Sequence, residues 1–434
     1  MKQEICICWF RRDLRLNDNT AFYHALHSPY PVLPVFIFDP EILSKLTDKN
    51  DKRVSFIYQT LQDLNKQCQE HGSSFYVIYD RVDEAFKKLF EEFEIKEVYL
   101  NHDYEPYAIS RDQRIQDLVE AKGLTFYTFK DQVIFEKSEI TKSDGSPYTV
   151  FTPYANKWRQ LFNQHQMKEF PSEKYLSGLL QIKRQFSPSM AEMGFQDINP
   201  EIMPLNIDET TIASYQDTRN IPAIPGTSQA SPYLRFGTLS IRNLVKLACK
   251  WNATWLSELI WREFFMMILY HYPHVINHSF KRKYDTISWR NNEKEFELWC
   301  KGETGYPIVD AGMRQLNETG WMHNRVRMIV AGFLTKHLLI DWRWGEAYFA
   351  HKLLDYELSS NNGNWQWAAG SGCDSAPYFR IFNPAAQTKK FDPKLIYIKT
   401  WIKDFNKYHL PPIVDHEFAR KRALEVYKKA LSEE

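Results

Sequence analysis

Hydrophobic and polar residues follow different patterns in the two halves of the chain. Over the first part, short apolar runs rich in β-branched and aromatic residues cover positions 5–10, 32–38, 74–79, 97–100 and 125–129. Amphipathic stretches with helical spacing separate these runs, for example at 53–70 and 82–93. This alternation predicts a mostly parallel sheet covered by helices, which ends near residue 131.

The pattern changes after that residue. Periodicity weakens from 132 to 200, where turns are predicted at 143–147 and 186–189 and one helix near 154–163. Beyond residue 200 helical spacing dominates, and Trp and Arg recur on the same stretches. We therefore expect three parts: an α/β domain over residues 1–131, a connector over 132–200 and a helical domain over 201–434.

Composition narrows the class of protein. Hydrophobic residues make up 44% and charged residues 25% of the chain, values typical of a globular protein, and no apolar run approaches the roughly 18 residues that a membrane span needs. Arg11 and Arg12 follow the first apolar stretch, which is the wrong order for a signal peptide. The six cysteines form no C-x-x-C pair. We expect a cytoplasmic protein with reduced thiols, no membrane contact and a monomeric state.

Charge and motifs exclude several functions. The formal net charge is only +1, so nucleic-acid binding would need a local basic surface. No G-x-G-x-x-G follows the first strand, and the common hydrolase and P-loop motifs are absent. His271, His274 and His278 share one segment, but no acid or cysteine accompanies them, which favours a structural role over a metal site. The 13 tryptophans supply core area by default, although indole can also pass electrons or stack on a base.

Two segments of the helical part carry candidate chemistry. The small-residue turn at 226–232 precedes a predicted helix, where hydroxyls and free N–H groups suit a phosphate, although a plain Ser/Thr helix cap explains it as well. In the second segment, Trp255, Glu258 and Arg262 share one helical face, with Trp261 nearby. An exposed Glu258–Arg262 pair within the helix is the alternative interpretation.

Two later segments combine polar residues with tryptophan. Asn324 and Arg327 fall on one helical face, while Trp321, Arg325 and Met328 fall on a neighbouring one. One helix could thus present one face to a cofactor and another face to a substrate. The alternative is a solvent-exposed arginine face above buried Trp and Met side chains. His323 is interpreted as a structural residue. Over 355–367, a polar helix-to-loop junction would explain the Asn and Gly residues, but not the two tryptophans beside them.

In this order the segments resemble the photolyase/cryptochrome family, closest to its class I cyclobutane pyrimidine dimer (CPD) DNA photolyases. The resemblance runs from WFRRDLRL at 9–16 to PYFRIFNP at 377–384 and includes GYPIVDAGMR at 305–314. It implies a Rossmann-like α/β N-terminal domain with a parallel sheet, a long linker and an all-α FAD-binding C-terminal domain. It also implies light-dependent repair of CPDs in DNA, in which an electron from excited, reduced FAD splits the dimer and then returns.

The resemblance assigns a set of residues to FAD. Arg327 and Asp355 would form a charge pair beside the isoalloxazine, and Asn361 would face its N5 edge. Glu357 departs from the family, in which many relatives carry Asp. The FAD-binding residues that the resemblance implies are Tyr215, Thr227, Ser228, Gln229, Ala230, Ser231, Trp255, Arg262, Asn324, Arg327, Asp355, Glu357 and Asn361.

A second set matches the family's lesion pocket, into which a dimer flips out of damaged DNA. Glu258 would hydrogen-bond the dimer, Trp261 and Trp367 would pack against it, and Arg219 and Arg325 would suit the flanking phosphates. Lys389, Lys390 and the basic run at 281–283 would widen the basic surface. The residues implied to contact damaged DNA are Arg219, Glu258, Trp261, Arg325, Met328 and Trp367.

Three tryptophans match the family's electron relay, which reduces photo-excited oxidised flavin. They are Trp365, Trp342 and Trp289, each of which alone would be interpreted as a core residue. The resemblance thus implies catalytic roles for these three, for Glu258 and for Asn361.

The antenna chromophore stays open between a deazaflavin, a folate and no antenna. In the folate-binding branch an Asn–Glu pair follows the fourth strand, whereas Tyr107 and Ala108 stand in the corresponding places here. Arg53 and Glu105 are candidate contacts.

Competing interpretations remain at this stage. A cryptochrome-type photoreceptor or a single-strand-specific relative is the nearest, although cryptochromes usually carry a long C-terminal extension and this chain stops at Glu434. A (6-4) photolyase would show a histidine-containing replacement across 324–328. A light-independent flavin electron-transfer protein would have no reason to keep Glu258.

Overall fold

The computed structural model describes residues 2–164, 167–198 and 202–432 and divides into two compact units. The α/β unit comprises Met1–Glu139, Arg159–Glu201 and Ser231–Leu247. The helical unit comprises Ile140–Trp158, Ile202–Ala230 and Ala248–Glu434. Among the described residues, no helix has both the length and the apolar composition needed to cross a bilayer. All six cysteines are free thiols.

A five-stranded sheet forms the centre of the α/β unit. The strands are β1 (Glu4–Phe10), β2 (Val32–Phe38), β3 (Tyr76–Tyr79), β4 (Glu94–Asn101) and β5 (Thr125–Phe129). Their order is β3-β2-β1-β4-β5, and every neighbouring pair is parallel, as predicted. All seven residues of β2 are buried, because helices cover both faces of such a sheet.

Nineteen α-helices occur in the described residues. In chain order they are α1 (Thr20–Ala25), α2 (Pro40–Leu43), α3 (Lys52–Glu70), α4 (Val82–Glu92), α5 (Pro106–Glu120), α6 (Phe151–Gln164), α7 (Glu209–Ala213), α8 (Tyr215–Thr218), α9 (Ser231–Phe236), α10 (Ile241–Trp251), α11 (Ala253–His271), α12 (Glu293–Lys301), α13 (Pro307–Thr319), α14 (Asn324–Gly332), α15 (Trp342–Lys352), α16 (Leu358–Ala369), α17 (Pro384–Phe391), α18 (Ile396–Trp401) and α19 (His416–Ser432). Short 3-10 helices cover Ser172–Gly178, Pro273–Ile276, Arg282–Thr286 and Phe405–Lys407, and a π-helix covers Phe333–His337.

A buried ionic cluster in the α/β unit includes Arg242, in the first turn of α10. Asp131 Oδ2 lies 2.7 Å from Arg15 Nη2, and its Oδ1 lies 2.9 Å from Arg242 Nη2. Arg242, which belongs to α10, also pairs with Asp18. Because buried charges are tolerated only when paired, these contacts fix α10 against the segment that carries Asp18.

Helix α16 is the central element of the helical unit, since α11, α14 and α15 all pack against it. Two glycines allow these close approaches. A Cβ at Gly363 would lie 2.3 Å from the Phe265 ring of α11, and a Cβ at Gly345 would lie 2.1 Å from the Trp365 ring of α16. Trp299, Trp342 and Trp365 are buried in the same hydrophobic cluster.

Candidate functional site

A pocket opens along α16, and it combines polar groups with aromatic and aliphatic side chains. Residues along α14 and at the end of α15 complete its wall. It is lined by Asn324, Arg327, Met328, Ala331, Phe349, Leu353, Asp355, Glu357, Ser360, Asn361, Asn364, Trp365, Trp367 and Ala368. Eight residues singled out from the sequence therefore meet in one place.

An ion pair crosses this pocket. Arg327 Nη2 of α14 lies 2.8 Å from Asp355 Oδ2, in the turn before α16, and Arg327 Nε donates to the backbone oxygen of Met322. The Asp355 side chain is buried, so the arginine compensates for the loss of water around the carboxylate. The pair leaves a fixed charge pattern along one wall of the pocket.

The first turn of α14 differs from the sequence prediction. The helix begins at Asn324, because His323 Nδ1 accepts a hydrogen bond from the backbone N–H of Arg325 and caps it. Burial, followed by the nearby Arg327, lowers the pKa of His323 to about 4, so the ring stays neutral and can accept that bond. Trp321 is buried ahead of the helix, and the predicted helical face shared by Trp321 with Arg325 and Met328 was wrong.

Asn361 is held by a residue that the sequence did not single out. Its Nδ2 donates to the backbone oxygen of Glu346 at 3.1 Å and to the Glu346 carboxylate at 2.8 Å. Burial raises the pKa of Glu346. The available signal was weak: Glu346 stands four residues after Trp342, a spacing that places the two on one face of a helix.

Glu357 occupies the cap position of α16, and its carboxylate accepts a hydrogen bond from Ser360 Oγ at 2.8 Å. A negative charge there is favourable, because unpaired backbone N–H groups point out of a helix start. The segment is a loop-to-helix junction: α16 begins at Leu358 and carries both Trp365 and Trp367. The alternative prediction, a helix that ends in a loop, was wrong, because here a loop leads into a helix.

The three tryptophans of the expected relay lie in one hydrophobic cluster. Trp365 lines the pocket and is buried, Trp342 is buried in the same cluster, and Trp289 packs against that cluster while remaining partly exposed. The Trp365 ring also contacts Phe349 edge-on, at 5.0 Å between centroids. The side chain of Trp289 is thus more exposed than that of Trp365.

A second group of polar residues lies on α8 and α11, which pack against each other. Glu258 forms an ion pair with Arg219, whose guanidinium lies 5.4 Å from the centroid of the Tyr215 ring. Burial raises the pKa of Glu258, and Arg219 partly opposes that rise. The alternative Glu258–Arg262 pair within α11 was wrong, because Glu258 turns to Arg219 on a different element.

Trp261 is placed differently from Trp367. Its ring stacks on Phe151 of α6, with the centroids 3.6 Å apart and the planes 7° apart, and it also contacts Phe265. It is not among the residues that line the α16 pocket. One face of the Trp261 indole is therefore covered by protein.

The turn at 226–231 is anchored to α11. Trp255 Nε1 donates to Ser228 Oγ at 3.3 Å, and Thr218 Oγ1 donates to the backbone oxygen of Gly226. Gln229 has a φ of +52°, and its buried side-chain Oε1 has no hydrogen-bond partner among the described residues. Ala230 precedes α9, which begins at Ser231 and is only six residues long. The turn thus presents hydroxyls and one buried amide oxygen, an acceptor that lacks a donor among the described residues.

Arg325, on α14, contacts the segment that follows α8. Its Nε and Nη2 lie 3.1 and 2.6 Å from Asn220 Oδ1, next to Arg219, and its guanidinium lies over the ring of Phe391. Phe391 ends α17, on which Lys389 and Lys390 are exposed. A run of cations therefore extends from Arg219 along α17.

The two candidate antenna contacts lie in the α/β unit. Arg53 pairs with Asp51, which caps α3, and Glu105 lies 2.9 Å from Arg12 Nη1. Both side chains thus already have ion-pair partners.

The fold and the pocket define a two-unit protein whose helical unit can hold a flat ring with polar edges. Comparison with known proteins identifies the family to which the chain belongs. A family model described as the FAD binding domain of DNA photolyase matches residues 255–411, and one described as DNA photolyase matches residues 6–174. The deoxyribodipyrimidine photo-lyase of Alkalihalophilus pseudofirmus is 34% identical over 472 aligned positions, covering 97% of this chain and 97% of that protein. The chain belongs to the DNA photolyase family.

Solved structures agree. A bacterial class III photolyase from Agrobacterium tumefaciens matches with a TM-score of 0.86 and 32% identity, over 99% of this chain and 98% of that one. An archaeal photolyase from Sulfolobus tokodaii, solved with two FAD molecules, matches with a TM-score of 0.80 and 34% identity, over 98% and 100%. The family, the fold class and the presence of an FAD-binding domain are thus confirmed.

Proposed function

We propose that this protein repairs cyclobutane pyrimidine dimers in DNA by light-driven electron transfer. The observation that carries the proposal is the α16 pocket, in which the Arg327–Asp355 pair and Asn361 lie beside Met328 and Trp367. The names of its relatives support a repair enzyme over the cryptochrome alternative.

The donor set of the pocket fits FAD. The polar edge of an isoalloxazine alternates hydrogen-bond donors and acceptors, which a guanidinium, a carboxylate and amides can match, while Trp365 and Phe349 supply apolar surface for the flat ring. When bound and reduced, FAD supplies the electron that excitation by light makes available. We assign the polar edge to Asn324, Arg327, Asp355, Glu357 and Asn361.

The rest of the cofactor would lie along α8 and α11. The hydroxyls of the 226–231 turn suit phosphate groups, and Trp255 holds that turn in place through Ser228. Tyr215 and Arg262 would complete this part. The residues assigned to it are Tyr215, Thr227, Ser228, Gln229, Ala230, Ser231, Trp255 and Arg262.

The lesion side uses residues with a different chemistry. A dimer inside a duplex cannot reach a pocket, so we propose that it flips out and packs against Met328, Trp367 and Trp261. Glu258 would hydrogen-bond the flipped dimer, and Arg219 and Arg325 would hold the flanking phosphates. The apolar side chains exclude water, which strengthens these polar contacts.

A repair assay tests the proposal. Purified protein with FAD, reduced in the dark, is mixed with an oligonucleotide that carries one thymine dimer and is then exposed to blue or near-ultraviolet light. We expect light-dependent recovery of adjacent thymines in proportion to the photons absorbed. No recovery by protein with bound, reduced FAD would overturn the proposal, and a dark sample serves as the control.

Three further expectations belong to this proposal. The first is that Trp365, Trp342 and Trp289 pass electrons toward oxidised flavin. The second is that the protein acts as a monomer in the cytoplasm. The third is that a second chromophore harvests light. The Sulfolobus tokodaii photolyase was solved with two FAD molecules, which imply a novel light-harvesting cofactor in that protein. Absorption spectra of the purified protein distinguish a folate, a deazaflavin and a second flavin.

A further inference from the structure

Phe151, the first residue of α6, has no role in the proposed function, yet it covers a residue that does. Its ring stacks face to face on the indole of Trp261, with the centroids 3.6 Å apart and the planes 7° apart. Trp261 remains partly exposed, and a flipped dimer can contact only the part of the indole that the protein leaves uncovered. The position of Phe151 therefore affects which part of Trp261 a dimer can reach.

Attraction between the two rings does not explain this stack. Aromatic pairs favour offset or edge-on arrangements, with centroids roughly 4.5–7 Å apart, over a face-to-face sandwich. Phe264 shows the favoured geometry, because its ring meets Trp261 edge-on at 5.6 Å and Phe151 edge-on at 5.9 Å. The Phe151–Trp261 pair is closer and nearly parallel, which indicates that contacts outside the two rings hold them in place.

One such contact lies at the start of α6. The backbone N–H of Phe151 donates to Asp374 Oδ2 at 3.0 Å. The first N–H groups of a helix have no acceptor within it, and a carboxylate beside them is favourable because of the helix dipole. Asp374 belongs to the segment that follows α16, so this hydrogen bond ties the start of α6 to a part of the chain more than 200 residues away.

The segment that carries Asp374 is itself fixed to the end of α16. Gly370 ends that helix with a φ of +90°, and its backbone oxygen accepts a hydrogen bond from Ser375 Oγ at 2.7 Å. Lys281 Nζ donates to the same Ser375 Oγ at 2.9 Å. Helix α16 also carries Trp367, the second tryptophan that we propose to pack against the dimer. A short chain of hydrogen bonds thus connects the helix of Trp367 with the start of α6.

A second anchor fixes α6 to α11. Glu263, which is buried on α11, accepts hydrogen bonds from Tyr154 Oη at 3.2 Å and from Trp158 Nε1 at 2.7 Å. The two donors stand four residues apart on α6, a spacing that places them on one face. Trp261 precedes Glu263 by two residues on α11. The helices that carry the two stacked rings are therefore held to each other close to the stack.

We propose that Phe151 and Asp374 are positioning residues that hold the indole of Trp261 in the orientation in which it packs against a flipped pyrimidine dimer. Asp374 fixes the first turn of α6, and Phe151 passes this constraint to Trp261 by covering one face of its ring. An indole that is held before DNA arrives loses little freedom when the dimer packs against it, so its preorganisation favours binding. Undamaged DNA places no dimer in the pocket and gains nothing. The inference rests on the proposed function for the identity of the ligand.

The first test needs no DNA. Full-length protein with oxidised FAD is labelled with fluorotryptophan, and the fluorine resonance of Trp261 is identified by its loss in Trp261→Phe. We expect one sharp resonance in the native protein. In Asp374→Ala the ring of Phe151 is still present, so a shifted and broadened Trp261 resonance there reports the loss of position alone. Asp374→Asn, which keeps an acceptor for the N–H, and Phe151→Tyr, which keeps the ring, should both resemble the native protein.

The second test measures affinity for oligonucleotides with and without one thymine dimer. Phe151→Leu and Asp374→Ala should each weaken binding of the dimer-containing DNA by about tenfold, roughly the cost of immobilising one large side chain on binding, and leave binding of undamaged DNA unchanged. The double variant should be no weaker than either single variant, because both residues act through the same contact. With saturating DNA, repair per absorbed photon should stay native, since neither residue is proposed to touch FAD or the dimer.

Helix α19 offers matched controls. Asp415 precedes that helix and accepts a hydrogen bond from the backbone N–H of Phe418 at 2.8 Å, and the ring of Phe418 is exposed. Asp415→Ala therefore removes a comparable helix cap, and Phe418→Leu removes an aromatic ring elsewhere. Both variants should leave the Trp261 resonance and both DNA affinities unchanged.

A native Trp261 resonance in Asp374→Ala overturns the inference, and so does a loss of affinity that is equal for damaged and undamaged DNA. Native preference for dimer-containing DNA in Phe151→Leu overturns it as well. If Phe151→Leu does not fold, the comparison of Asp374→Ala with Asp374→Asn decides in both tests. A native protein that shows no preference for dimer-containing DNA contradicts the proposed function, whereas the fluorine resonance decides separately whether Phe151 and Asp374 hold Trp261.

Discussion

At the scale of single residues, Glu258 shows how a site side chain can be poised between two states. Burial raises its pKa, while the ion pair with Arg219 stabilises its charged form. A carboxylate in this position can accept hydrogen bonds from a flipped base, and Arg219 keeps it oriented when no DNA is bound. The pair thus holds Glu258 in the orientation that the proposed contact with the dimer requires.

Replacing Glu258 by Gln should weaken both dimer binding and repair by about tenfold. The change removes a charge-assisted hydrogen bond, which is worth roughly 1.5–3 kcal/mol, and leaves Arg219 without its partner. Affinity for dimer-containing DNA and the number of dimers repaired per absorbed photon measure the two effects. Glu297→Gln, on the exposed surface of α12, is the control and should change neither. A Glu258→Gln variant with native affinity and repair would contradict the assigned role.

Residue types were more predictable from the sequence than residue partners. Arg327, Asp355, Asn361 and Trp367 stood out because charged groups and amides recur beside tryptophan. Glu346, which holds Asn361, did not, because nothing near it in the chain marks it as polar and buried. Such partners are set by the packing of α15 on α16, and hydrophobic periodicity carries no information about which helices pack together.

At the scale of elements, strands and long helices followed from periodicity, whereas the exact starts of α3 and α14 did not. Helix α3 begins at Lys52, one residue before the predicted stretch, because Asp51 caps it. Helix α14 begins three residues later than its polar and aromatic pattern suggested, since His323 serves as its cap. A neutral, buried histidine is an uncommon cap, so the sequence offered no signal for this boundary.

Trp289→Phe should abolish light-driven reduction of bound FAD and leave repair by chemically reduced protein at the native level. Trp289 joins the cluster around α15 and α16 to the surface, and phenylalanine keeps its shape without an oxidisable indole. Flavin absorption under continuous light, with an external reductant present, measures the first effect. Trp401→Phe, a partly buried tryptophan packed on the same cluster, is the control. Native photoreduction in Trp289→Phe would exclude this route.

Asp131→Asn should destabilise the α/β unit by about 3 kcal/mol, because it leaves two buried arginines without a shared counter-charge. Burial would raise the pKa of Asp131, but Arg15 and Arg242 hold it well below the ordinary value. A carboxyl group with a depressed pKa stabilises the folded state above the unfolded pKa of about 4, and that stability is lost as the pH falls further.

Urea unfolding at pH 7 and at lower pH, with hydrogen exchange of β1 amides as the local probe, measures this prediction. The difference between native protein and variant should shrink as the pH falls below about 4. Asp63→Asn, which removes an exposed pair with Lys66, should cost less than about 1 kcal/mol. An equal cost for both variants would show that the buried cluster is no stronger than a surface pair.

At the scale of the whole molecule, a net charge of +1 gives no general attraction to DNA. The cations that matter must act locally, and the structure shows one run that reaches from Arg219 through Arg325 to Lys389 and Lys390. Contacts to phosphates carry no information about a lesion, whereas contacts to a flipped dimer do. The two kinds of contact should therefore separate experimentally.

Alanine at both Lys389 and Lys390 should weaken binding to damaged and undamaged DNA by the same factor. Each phosphate contact releases counter-ions, so its loss should lower the slope of log affinity against log salt by about 0.9. The preference for dimer-containing DNA should stay unchanged, in contrast to Glu258→Gln, which should lower that preference and leave the slope alone. Lys66→Ala, an exposed cation of α3, is the control for general charge. A double alanine variant that loses lesion preference at a constant slope would mean that α17 touches the dimer itself, and the division between a phosphate-holding surface and a lesion pocket would then fail.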